Sequence, residues 1–131
     1  MAKYKNILIT DSFLRDNSDA YFVFGDNLVR RGYGGAAALR DNPQAIGFVT
    51  KKFPDNRDSS FYTPDEYERF FFEELKNLED LIQTKPDKTF YISQLGGGLA
   101  NRYKIWDVLI QPNIVGKLRN FDNVVFCWEE N

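Results

Sequence analysis

The 131-residue sequence has no histidine, a single cysteine and no excess of basic charge. Each absence removes a class of function. Without histidine, neither a Ser-His nor a Cys-His nucleophilic pair can form, and the commonest zinc ligand is missing. Any chemistry must use carboxylates, amides, the backbone or a hard metal, and neither a metal nor another cofactor is required. The one cysteine, Cys127, lies in the apolar run Val124-Val125-Phe126-Cys127-Trp128. No internal disulfide can form, and the residue reads as packing in a reducing compartment. Lys and Arg number 17 against 19 Asp and Glu, which leaves no broad basic face for a nucleic-acid backbone. A large nucleic acid is therefore not an expected partner. Nor is a membrane, because the first ten residues offer only the short apolar run Ile7-Leu8-Ile9, which suits neither a signal peptide nor a membrane span. The expected location is the cytoplasm.

What the chain does have is aromatic bulk, twelve Phe and seven Tyr. That supports a packed interior, and the length fits one domain over residues 1–131. Tyr4 to Thr10 reads as a first strand, and the continuous β-branched and aromatic run Ala20 to Phe24 as a strand covered on both faces. A short helix is expected over Ala36 to Arg40, closed by Asn42-Pro43, and a strand over Ile46 to Thr50. Phe53 to Ser60 reads as a surface loop. Thr63, Pro64 and Glu66 form a capping-box start for a long helix whose apolar positions, Tyr67 to Ile82, recur every three or four residues. A strand at Thr89 to Ser93, a helix within Trp106 to Leu118 and a strand at Asn123 to Trp128 complete the alternation. The expected fold is a single α/β domain of three layers, α/β/α, around a mostly parallel mixed sheet.

Two glycine-rich loops leave buried strands and enter helices. The first runs from Gly25 to Ala36, the second from Ser93 to Asn101. In a parallel sheet both emerge beyond the carboxyl ends of their strands, where ligands settle. Glycines there let backbone N–H groups approach a diphosphate, and a helix N-terminus adds a favourable dipole. Neither loop carries a Gly-Lys-Ser/Thr ending, and Gly32-Tyr33-Gly34 lacks the dinucleotide fingerprint's third glycine. A P-loop NTPase and an ordinary dehydrogenase are thereby set aside.

The segments Val23-Phe24-Gly25-Asp26-Asn27-Leu28, Arg31 to Ala37 and Leu95-Gly96-Gly97-Gly98-Leu99-Ala100 resemble the phosphate loops of macrodomains, and more closely those of the small macrodomain-like proteins of phages and bacteria. The likeness runs from about Tyr21 to Phe126. It implies a macrodomain-like fold that binds ADP-ribose or a related nucleotide, with an ADP-ribosylated protein as a further partner, hydrolysis of ADP-ribosyl or ADP-ribose phosphate esters as a further activity, and the host cytoplasm as the location of a phage-encoded member. This chain departs from the pattern where Tyr33 interrupts the usual three glycines and where no acidic residue falls between Gly34 and Leu39. Binding and hydrolysis both stay open.

Asn27 matches the family asparagine, whose amide can donate to and accept from a ribose hydroxyl, or else make an Asx turn. Asp26 is the nearest carboxylate and could bind the ligand, orient a water or cap the turn. These two are the catalytic candidates. The ligand-binding set is Gly25, Asp26, Asn27, Arg31, Gly32, Tyr33, Gly34, Gly35 and Ala36 from the first loop; Thr50 and Lys51 from the end of a strand; and Ser93, Gly96, Gly97, Gly98, Leu99 and Asn101 from the second. Arg31 would pair with a diphosphate and Tyr33 would cover a ribose or base. Trp106 reads as core rather than as a base platform. The alternatives are a non-enzymatic protein that sequesters a nucleotide signal, as a phage counter-defence product would, and a plain interaction module whose glycines are structural.

Overall fold

In the computed structural model, which describes residues 1–130, one five-stranded sheet carries helices on both faces. The chain runs through β1 (Lys3–Tyr4), α1 (Asp11–Asp16), β2 (Ala20–Asn27), a 3-10 turn at Gly35–Ala37, β3 (Ala45–Lys51), α2 (Pro64–Thr84), β4 (Thr89–Ile92), α3 (Gln111–Leu118) and β5 (Val124–Phe126). The strand order is β1-β5-β4-β2-β3. Every strand pair is parallel; among the described residues, antiparallel contact is confined to one bridge between Lys51 and Phe61. The fold is α/β, as expected, with no antiparallel strand to make the sheet mixed.

Burial on both faces explains the unbroken apolar strands. Phe22 and Phe24 of β2 point into a small cluster with Leu14 and Ala37, while Val23 between them joins the larger core under α2 and α3. α2 starts where local chemistry demands: Thr63 Oγ1 accepts from Glu66 N, the Glu66 carboxylate accepts from Thr63 N, and Pro64 occupies the first helical position. Tyr67, Phe71, Leu75, Leu78 and Ile82 then bury one stripe against the sheet.

Several elements depart from expectation: β2 runs on through Gly25, Asp26 and Asn27, expected to open the first loop, and the strand expected at Asn123 to Trp128 is only Val124–Phe126. The strand read over Tyr4 to Thr10 shortens to Lys3–Tyr4, and Thr10 instead caps α1 by accepting from Phe13 N. The helix expected at Ala36 to Arg40 is only the 3-10 turn Gly35–Ala37, and the Arg40 side chain bonds back to the preceding loop. The helix near Trp106 begins as a π turn, Trp106–Ile110, before α3.

Candidate functional site

β2 and β4 are hydrogen-bonded neighbours, paired from Ala20 with Thr89 to Val23 with Ile92, where β4 ends while β2 runs on to Asn27 at the same edge of the sheet. The glycine loops that follow them line one cleft of about 440 Å³. Gly25, Asp26, Asn27, Arg31, Gly32, Gly34, Gly35, Ala36, Thr50, Lys51, Gly96, Gly98 and Leu99 all contribute to its wall. The loops also touch at their roots: a Cβ on Gly25 would lie 3.7 Å from Gly96 N. Gly96 has φ +70, and a Cβ there would meet Ile110 at 2.9 Å, so both its backbone and its surroundings require glycine.

Four of the expected residues lie outside this wall. Gly97 is turned toward Gln94, whose Cγ is 2.7 Å from where a Cβ would be. Asn101 caps the following turn instead, its Oδ1 accepting from Trp106 N at 2.9 Å and its Nδ2 donating to Asp107 at 2.9 Å. Ser93 donates its amide to Val23 O and so belongs to the sheet. Tyr33 is exposed and donates its hydroxyl to Asp41 at 2.8 Å, a bond that pushes the phenol above its ordinary pKa. Trp106 is buried and stacks edge-on against Trp128, in keeping with a core role.

The wall also has members that the sequence did not single out. Pro54 and Asn56 come from the loop Phe53 to Ser60, which forms a third side of the cleft. Gln94, Ala37 and Ala100 complete it. The loop is held by Asp55, which accepts from Ser60 Oγ and Arg57, and by an ion pair between Asp58 and Arg102, just after the second glycine loop. Only its polar, proline-containing composition marked it in the sequence, and that signals a loop without saying what the loop faces.

The electrostatics favour an anion. Arg31 and Lys51 line the cleft, and neither has a carboxylate within ion-pair distance among the described residues. Lys51 Nζ lies 4.8 Å from the centre of the Phe61 ring, with Arg102 on the same ring at 4.2 Å. Burial, and then repulsion from Arg102, hold the lysine below its ordinary pKa against the pull of Asp55. The one carboxylate in the wall is already engaged. Asp26 Oδ1 pairs with Arg40 at 2.7 Å and accepts from Asn27 N at 2.8 Å, while Oδ2 lies 3.4 Å from Arg30. With its side chain only 2% exposed, Asp26 fastens the loop.

The backbone completes this pattern. None of the amides of residues 31–36 has an acceptor among the described residues, and the same holds for Gly96, Gly98, Leu99 and Ala100. Asn27 Nδ2 donates to Arg31 O at 2.8 Å, while its buried Oδ1 has no donor among the described residues. Groups of metal-ligating side chains are absent among the described residues. No helix among them is long and apolar enough to cross a membrane.

One family profile matches the chain, over residues 4–102. The chain belongs to the family of unknown function DUF7831. The matched stretch holds β2 to β4 and both glycine loops, hence every residue of the cleft wall, and leaves α3 and β5, with their share of the large core, outside it. No curated protein and no solved structure matches the chain.

Proposed function

We propose that the cleft binds a nucleotide diphosphate of the ADP-ribose type, with the phosphates held between the two glycine loops. One observation carries this reading: on loops from adjacent parallel strands, residues whose backbone amides have no acceptor among the described residues, Arg31, Gly32 and Gly34 to Ala36 on one and Gly96, Gly98, Leu99 and Ala100 on the other, line a single cleft. A peptide N–H is an obligatory donor, and a concave array of them is an anion-binding surface. Arg31 and Lys51 add two cations without carboxylate partners. The volume of about 440 Å³ falls in the range of small-ligand sites. The donor-less Oδ1 of Asn27 is suited to accept from a ligand hydroxyl once the side chain shifts toward the cleft.

Binding without turnover is favoured over hydrolysis. A general base must be within reach of a water and free to take its proton, and the Asp26 carboxylate is committed to two arginines and a backbone amide. The protein then acts by holding or sequestering its nucleotide. Calorimetry against inorganic pyrophosphate, ADP-ribose, NAD, AMP and cyclic dinucleotides tests the reading. Pyrophosphate and at least one diphosphate nucleotide are expected to bind; failure of the whole panel would overturn it.

A further inference from the structure

We propose that Arg40, which does not line the cleft, is the positioning residue that orients the first loop's amides toward a bound phosphate. The inference rests on the anion-binding reading above and concerns how that site is built. Arg40 donates from Nε to Gly32 O at 2.8 Å and from Nη2 to Arg31 O at 3.1 Å. Asn27 Nδ2 donates to the same Arg31 oxygen at 2.8 Å. The peptide bonds here are trans, and in a trans peptide the N–H points opposite to the C=O. Two successive carbonyls drawn toward Arg40 therefore turn the amides of Gly32 and Tyr33 away from it, and those amides lack acceptors within the described residues. Gly32 lines the cleft and Arg40 does not, so the guanidinium shapes the site without touching what it holds.

Arg40 is itself fixed. Its Nη2 pairs with Asp26 at 2.7 Å, and the two side chains are 12% and 2% exposed. Its guanidinium carbon lies 5.6 Å from the centre of the Phe24 ring. Arg30, whose Nη1 lies 3.4 Å from Asp26, has φ 54, a left-handed value uncommon for a non-glycine residue. A planar fork can serve Asp26 and two carbonyls together; a lysine ammonium, a compact point charge, can keep the ion pair but not the fork. Asp26 and Arg40 are thus one device, and the carboxylate has an ordering role in place of a chemical one.

The test uses Arg40→Lys and Arg40→Ala, with inorganic pyrophosphate as the probe and amide NMR of residues 31–36 as a ligand-free readout of loop shape. Both variants should shift the Gly32 and Tyr33 amide signals and weaken pyrophosphate binding roughly 10- to 100-fold, the loss of one to two oriented hydrogen bonds. Arg40→Lys should melt close to the parent, and methylguanidinium should partly restore binding to Arg40→Ala, which a general loss of stability would not allow. Parent-like pyrophosphate affinity in a folded Arg40→Lys and Arg40→Ala overturns the inference and leaves the proposed function standing. If the parent itself binds no phosphate ligand while the loop amides still respond to Arg40, the proposed function has failed, and the positioning role for a bound anion fails with it.

Discussion

The side chain of Gln94 occupies the space where a Cβ on Gly97 would be, with Cγ 2.7 Å from that point. Gly97 is small to let Gln94 lie over the loop, whereas Gly34, with φ −77, ψ 145 and nothing within 4 Å of a Cβ, borders open cleft. Gly34→Val should therefore fold like the parent and lose at least about tenfold in pyrophosphate affinity by calorimetry, because the new side chain blocks an anion's approach. Gly97→Val should do the reverse, costing about 1–3 kcal/mol in urea unfolding as Gln94 is displaced, with a smaller effect on affinity. Equal binding losses in the two variants would count against this division of the glycines.

Thr63→Ala removes the side-chain acceptor of the α2 capping box. A loss of about 1 kcal/mol is expected, read as a lower urea midpoint with an unchanged slope. Pyrophosphate affinity should stay at the parent value, since Thr63 does not line the cleft.

Alkaline pH should destabilise the protein through two groups, the partly buried Cys127 and the buried Tyr67. Burial pushes the Cys127 thiol from 9.0 up to about 12. Burial, and then the nearby Glu74, hold the Tyr67 phenol well above its ordinary value; its hydroxyl donates to Val49 O. Above pH 9.0 the unfolded thiol has lost its proton while the folded one keeps it, so the folded state binds more protons and stability falls as pH rises toward about 12. Unfolding followed at pH 8 to 11 checks the sign, and Cys127→Ala should flatten the slope. Unchanged stability across that range would contradict the raised thiol pKa.

The third side of the cleft is latched by the Asp58–Arg102 pair, in which the aspartate side chain is 80% exposed. An exposed pair adds little to global stability. Asp58→Asn should leave the melting temperature within about 2 °C of the parent while speeding limited proteolysis between Phe53 and Ser60. No change in cleavage would mean that the loop is held by Asp55 alone.

Features set by near neighbours in the chain were legible before the structure was known. Thr63, Pro64 and Glu66 announce α2 because a capping box is complete within four residues, and the run Ala20 to Phe24 announces a strand buried on both faces. The positions of both glycine loops follow from those strands. What was hidden depends on pairing across distance. Nothing near Asp26 indicates that Arg40 will come back to it, or that the expected helix over Ala36 to Arg40 will be only a 3-10 turn. Pro54 and Asn56 reach the cleft only because the loop after β3 folds over it. Short α1 escaped notice because six residues carry too little periodicity to outweigh the β-rich reading of Tyr4 to Thr10.

Because β2 and β4 are directly hydrogen-bonded, the separation of the two glycine loops at their roots is inherited from the sheet. Neighbouring strands lie about 4.8 Å apart whatever their side chains. The gauge of the cleft is therefore a property of the backbone ladder, and changes within either loop can alter what lines the opening but not how far apart its two sides begin. Variation among relatives of this chain should accordingly alter which groups line the opening, while its two sides begin one strand spacing apart.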